Sequence, residues 1–322
     1  MDVEYGGVIL PGMRCFLFVV CFLVGCAAPG AAEGKYVDTI IWADGVSAAG
    51  GWKDVDKSAA DPGDDLMCYA ASAANLVAWW QERSGLVSAA PTSLEDIWGV
   101  YESHRQNGHM GGDAVAALNW WLSGVYAPTN DAEAARSLFN KVSPDSDIIT
   151  LQPFDGFYFD QYGLDKENLM SLFSYSSGLE NDYLGDLLSA GAGVSLLLQP
   201  VGDAMMHAIT LWGAEYNEAG CLSKLWVTDS DDAEDEDVFQ ELFSIDVVRD
   251  EESDRVYFDM SLESEVGYYE WQKLLGREIY ICGVNAIHLS ATADWRLVIP
   301  EPGTVSLGLL AFCGLALRRH RV

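Results

Sequence analysis

HAITLWGAEYNEAGCLSKLWVTDSD, residues His207–Asp231, is the stretch on which the reading of the fold turns. Two runs rich in β-formers, His207 to Tyr216 and Leu222 to Thr228, flank Asn217-Glu218-Ala219-Gly220. Such runs bounded by an Asn/Gly cluster read as two strands joined by a tight turn. The turn is centred between residues 218 and 219. Paired residues of an antiparallel hairpin have nearly constant summed numbers, so His207 is expected opposite Asp229 or Ser230. Either register delivers a carboxylate beside an imidazole. An Asp there accepts the second ring N–H, fixes the tautomer and stabilises imidazolium. Asp229 and Asp231 also open an acidic run to Asp237, and for the run as a whole a solvated loop is the ordinary reading. Ala233 and Glu234 break the EF-hand calcium pattern.

Outward from the hairpin, Gly193 to Gln199 is a short apolar strand, and residues 254–260 and 278–290 read as later strands. The front half reads helical. Residues 68–82 are Ala-rich, with Tyr69, Ala73, Leu76 and Trp80 at helical spacing; residues 113–122 repeat the style with Val115, Leu118, Trp121 and Leu122. Residues 131–141 and 166–189 are expected to be helical as well. Helices first and strands afterwards predict an α+β fold rather than alternating α/β. No repeat and no Pro/Gly/Ser linker interrupts residues 33–298, so one domain is expected. Trp79-Trp80 and Trp120-Trp121 are expected in the core rather than in a cleft, the default for aromatics at helical spacing.

Cys68 follows Asp64-Asp65-Leu66-Met67 and opens the Ala-rich helix. With Asp65 as N-cap, the thiol sits in the first turn, where the helix dipole favours thiolate. The nearby carboxylates oppose that, so a histidine partner is needed. A helical cysteine without one is by default a small buried hydrophobe. Of five histidines, His320 lies in the tail, His104 and His109 sit in a polar stretch expected to be a loop, and His288 lies in a late apolar strand with a structural role. His207 remains. Cysteine arithmetic points the same way. Cys15, Cys21, Cys26 and Cys313 lie in the end segments, leaving Cys68, Cys221 and Cys282, an odd number. A Cys221–Cys282 disulfide, which no spacing rule supports, would leave Cys68 as the thiol to explain. A zinc site is not expected, because no His/Cys pair has ligand spacing.

Two blocks are recognisable. Gly51-Trp52-Lys53-Asp54-Val55-Asp56-Lys57, then Asp64-Asp65-Leu66-Met67-Cys68-Tyr69-Ala70-Ala71 with Asn75 and Trp79-Trp80, resembles the IdeS/Mac family of secreted IgG-degrading cysteine endopeptidases. So does His207 to Ala214 followed by Trp226-Val227-Thr228-Asp229-Ser230-Asp231. The resemblance runs from about Gly51 to about Trp295, dense around these blocks and thin from residue 83 to 190. It implies a papain-like fold, with the nucleophile helix packed on an antiparallel sheet. It further implies Cys68 as nucleophile, His207 as base, Asp229 orienting the histidine, Asp231 as a second supporting carboxylate, and Lys57 as an oxyanion-hole donor. One extra residue between Lys57 and Cys68, within Ser58 to Gly63, leaves an exposed loop lysine as the other reading of Lys57. The expected reaction is peptide hydrolysis through an acyl-enzyme, with no metal and no cofactor. A catalytically inert binding module of the same fold and a Cys-His-Asp acyl-transfer enzyme are the competing readings.

Both ends read as address labels. Met13-Arg14, an apolar run to Val24 and small residues to Ala32 have the order of a secretory signal, with Met13 an alternative start. Leu23-Val24-Gly25-Cys26 also resembles a lipoprotein cleavage box. At the back, Pro300-Glu301-Pro302, a short apolar run from Val305 to Leu317 and Arg318, Arg319 and Arg321 resemble the PEP-CTERM sorting signal of Gram-negative bacteria; a plain tail anchor is the alternative. The expected division is 1–32 signal, 33–298 catalytic domain and 299–322 sorting segment, with export to the envelope surface or beyond. The formal net charge is −31. A chain so acidic repels nucleic acid and anionic lipid. The two resemblances imply as partners a protein substrate, immunoglobulin among the candidates, and a processing enzyme at the C-terminal segment.

Overall fold

Strand alternation and helix capping account for the elements seen in the computed structural model. It describes residues 35–57, 64, 66–85, 89–105, 112–124, 126, 151, 156–158, 170–174, 181–201, 206–231, 242–250, 255–258 and 279–289. All of these belong to the unit Gly34–Val322. Helix α1 is Cys68–Ser84, α2 Leu94–His104, α3 Ala114–Ser123 and α4 Tyr183–Ser189. The strands are β1 Thr39–Trp42, β2 Met170–Ser174, β3 Ala192–Pro200, β4 His207–Tyr216, β5 Leu222–Thr228, β6 Phe243–Asp250, β7 Arg255–Phe258 and β8 Ile279–His288.

All pairings are antiparallel, in the order β1-β4-β3-β8-β7-β6-β5. Because β5 also pairs with β4, six strands close into a ring. β4 carries β3 along its first half, β1 along its second and β5 on its other side. The protein is thus a mixed helix and sheet structure with an antiparallel sheet, and α1 lies between that sheet and the pair α2 and α3.

Helix α1 is buried almost all round, from Tyr69 to Gln81. Its alanines let neighbouring backbones close in, and its large side chains carry the packing. Trp79, Trp80, Trp120 and Trp121 are all fully buried, so both Trp pairs are core. Their polar edges are answered internally: the Trp79 indole donates to the Asp44 carbonyl at 2.9 Å, Trp80 to the His288 carbonyl at 3.0 Å, and Trp121 to Gln81 Oε1 at 3.0 Å.

Several expectations are corrected. Residues 170–174 form a strand paired with β8, within the stretch 166–189 expected to be helical; among the described residues of that stretch, Tyr183–Ser189 is the helical part. The pairing partner decides, since Met170–Ser174 completes an edge that β8 leaves open. His104 ends α2 instead of lying in a loop: Ser93 caps the start of that helix, accepting from the Asp96 N–H at 3.1 Å, and His104 Nδ1 bonds the Val100 carbonyl of the last turn at 2.9 Å. β1, α2 and β6 were not anticipated. The expected helix 131–141, His109 and both end segments lie outside the described residues. Among the described residues no helix is long and apolar enough to cross a membrane.

Candidate active site

Cys68 is the first residue of α1. The cap position falls on Met67, which makes no side-chain cap bond, and Asp65 lies outside the described residues. At this position the backbone N–H of Cys68 has no intrahelical acceptor, and the thiol feels the positive end of the helix. His207 is the first residue of β4, and Asp229 follows the last residue of β5.

His207 Nε2 bonds to Asp229 at 2.7 Å to Oδ2 and 2.9 Å to Oδ1. The expected rung, however, is not how they meet. The ladder runs Thr210↔Thr228, Leu211↔Val227 and on to Tyr216↔Leu222, and extended it would set His207 opposite Asp231. Two bulges, between Leu211 and Gly213 and between Glu215 and Tyr216, move the register. The turn also widens to Asn217–Cys221, closed by Asn217 N–H to the Cys221 carbonyl at 2.9 Å, with Gly220 at φ 71°. The ladder stops at Thr210, and Asp229 reaches the ring from beyond its end.

Asp231 lies on the other side of the ring, its Oδ2 3.8 Å from His207 Nδ1. Its Oδ1 takes the Lys57 ammonium at 2.5 Å. Lys57 is 7% exposed, so the exposed-loop reading of this lysine does not hold. Two hydrogen bonds zip its segment along the end of β5: Thr228 Oγ1 donates to the Lys53 carbonyl at 2.9 Å, and the Lys57 N–H donates to the Ser230 carbonyl at 2.9 Å. Asp229 Oδ1 also accepts the Asp231 N–H at 3.0 Å. Ser230, whose carbonyl takes the Lys57 N–H, was read in the sequence only as an alternative rung partner of His207 and given no role of its own.

These surroundings set the protonation states. Burial by itself pushes the Cys68 thiol up, but the His207 charge and hydrogen bond, the Lys57 charge and a bond to the Ala208 backbone bring it below the ordinary thiol range. Burial likewise opposes charge on His207, yet Asp229, the Cys68 thiolate and the hydrogen bonds to both hold the ring well above the usual imidazole range. Lys57 loses to burial less than it gains from Asp231, Cys68 and Asp229, and its affinity for the proton rises. The arrangement therefore favours a thiolate–imidazolium pair with a second fixed cation beside it.

His207, Asp229 and Asp231 offer ligand atoms within 4.8 Å of one another. The hairpin reading had already brought Asp229 toward His207, and the three residues come together at two strand ends. The Lys57 ammonium already supplies positive charge there. His288 is buried in β8, its ring pulled down to about 4 by burial. Cys221 and Cys282 are free thiols; Cys282 is pushed up to about 11 by burial, and its Sγ donates to the Leu197 carbonyl at 3.3 Å.

Comparison with known proteins agrees with this chain's two dense blocks. An IgM protease of Streptococcus suis (strain P1/7) is 27% identical, over 64% of this chain and 20% of that protein. The chain thus spans about a fifth of the length of that relative. The family model described as Mac 1 matches residues 28–88 and 94–270, both blocks included. By that match the chain belongs to the Mac 1 (IdeS/Mac) family.

Proposed function

We propose that the protein is an exported cysteine endopeptidase of papain-like fold, acting on a protein substrate of the immunoglobulin type. One observation carries the reading: a thiol at a helix start, lowered by the charge of His207, is matched with an imidazole whose Nε2 is held at 2.7 Å by a buried carboxylate. Membership of the Mac 1 family and the name of the streptococcal relative support the protease class and the substrate class.

In this reading the Cys68 thiolate attacks the peptide carbonyl carbon, and the carbonyl electrons move onto oxygen. The orphan N–H of Cys68 and the Lys57 ammonium stabilise that oxyanion. His207 imidazolium protonates the departing amine as the C–N bond breaks, leaving a thioester on Sγ. Neutral His207 then takes a proton from water, the hydroxide attacks the thioester, and the acid product leaves with Cys68 again a thiolate. Asp229 keeps Nε2 protonated and its charge favours the imidazolium. Asp231 holds Lys57 close enough to act, and no step requires a metal or cofactor.

The test is incubation of the purified domain with immunoglobulins and with a denatured proteome, with fragments read by mass spectrometry. New peptide termini that vanish in Cys68→Ala are expected. Amine incorporation without new termini would assign the same residues to acyl transfer, and binding without either would leave an inert module.

A further inference from the structure

Cys68 and His207 begin two different elements, and how they meet depends on how α1 seats on β4. Most of that seating is apolar and has little directional preference. One contact is directional. Thr210 Oγ1 donates to Ser72 Oγ at 3.1 Å, and Ser72 Oγ in turn has Ser195 Oγ at 2.8 Å and the Ile209 carbonyl at 3.2 Å as acceptors. Asn75 Nδ2 donates to Thr210 Oγ1 at 3.2 Å. The chain therefore runs in one sense, from Asn75 through Thr210 and Ser72 to Ser195 or the Ile209 backbone. All four side chains are buried, none more than 2% exposed.

Its placement relates directly to the reacting pair. Ser72 stands one helical turn beyond Cys68, on the same side of α1, roughly 6 Å along the axis. Thr210 stands three residues beyond His207 on β4, and Ser195 is its cross-strand partner on β3. A buried hydroxyl chain of this kind is favourable only while every link is within reach, so it resists sliding or rotation of α1 over the strand. We propose that Thr210 and Ser72 are positioning residues, a hydroxyl clasp that sets the seat of the nucleophile helix on the histidine strand and so the Cys68–His207 geometry. This rests on the proposed Cys68–His207 chemistry, but not on the identity of the substrate.

Three variants separate positioning from plain stability. Thr210→Val keeps the shape and removes the hydroxyl. Thr210→Ser keeps the hydroxyl and removes a methyl. Ser72→Ala makes the smallest truncation on the helix side and serves if Thr210→Val does not fold. Each is measured for Tm, for kcat and KM, and for the pH dependence of Cys68 alkylation by iodoacetamide, followed on the Cys68 peptide. That profile needs no substrate; among the described residues the titratable groups around the thiol are His207, Lys57, Tyr69, Asp229, Asp231 and, ahead of the helix, Asp64, and all remain intact. Thr210→Val and Ser72→Ala should lower kcat by roughly ten- to a hundredfold, the scale of a small misplacement of reacting groups, with KM little changed. Their alkylation profiles should move toward higher pH, because a less well seated imidazolium stabilises the thiolate less. Thr210→Ser should stay near wild type in both readouts even where its Tm falls. Unshifted alkylation profiles in Thr210→Val and Ser72→Ala, or kcat that simply follows Tm across the set, would overturn the clasp. Shifted profiles in a protein that cleaves no peptide would leave the clasp standing and remove the endopeptidase reading instead.

Discussion

At the scale of single residues, the charges around Cys68 make firm statements about pH. The thiol is lowered in the folded protein, so its contribution to stability is present above the ordinary thiol value and is lost as pH falls through the folded one. The imidazole is raised, so its contribution is complete below the ordinary histidine value and is lost as pH rises through the folded one. The ion pair exists between those two folded values, and its limbs belong to the pair. The expected kcat/KM profile is a bell with an acid limb below the ordinary thiol range and an alkaline limb above the ordinary imidazole range. In Asp229→Asn the alkaline limb should retreat to lower pH, since the Asp229 charge is the largest influence raising His207. A bell that Asp229→Asn leaves in place would remove that carboxylate from the mechanism. His207→Ala should lose about two to four orders of magnitude in turnover, and Lys57→Ala about 100- to 1000-fold in kcat. Asp231→Ala should act on stability too. It takes the carboxylate at 2.5 Å away from a buried ammonium, and breaking such a pair costs about 3–5 kcal/mol, readable as a lower urea midpoint.

At the scale of elements, the seat of α1 depends on Gly193 of β3. A Cβ built there would stand 2.7 Å from the Trp79 ring and 3.0 Å from Leu76, closer than real contacts allow. Gly193→Ala should therefore destabilise by about 1–3 kcal/mol, the usual cost of overpacking, seen as a reduced urea midpoint with an unchanged slope. A neutral result would mean that α1 can lift from β3 freely, which would also weaken the case for a precise seat. The strands with clean alternation were legible: β4 and β5 lie at the residues read for them, and β3 and β8 differ by one or two at their ends. α2 was missed although Ser93 and Asp96 mark its start and Ile97 and Tyr101 its buried face, because Gly99 interrupts the pattern. β2 was read as helix because its five residues carry no decisive period, and only the open edge of β8 makes them a strand.

At the scale of the whole molecule, the net charge of −31 and the end segments bear on where the protein works. We propose that the front segment directs export and that a processing enzyme cuts near Pro300-Glu301-Pro302. Mass spectrometry of the native protein should then find a mature form lacking residues 305–322. A form that keeps them in the inner membrane would favour a plain tail anchor. Outside the cytoplasm a thiolate is open to oxidation. Activity should accordingly rise on addition of a reductant, measured on protein isolated without one.

The sequence by itself determined the local chemistry. Cys68 at a helix start and the hairpin that brings an aspartate toward His207 were readable, because dipoles, turns and strand periods act over a few residues; the Gly51–Lys57 block was legible through its family resemblance. Whether those pieces meet depends on contacts between residues far apart in the chain. The two bulges in the hairpin, the burial of Lys57 against Asp231 and the closing of six strands into a ring have no short-range signature. The hydroxyl clasp belongs with them: Ser72, Ser195 and Thr210 are ordinary small polar residues until packing removes water from all three and leaves each other as partners.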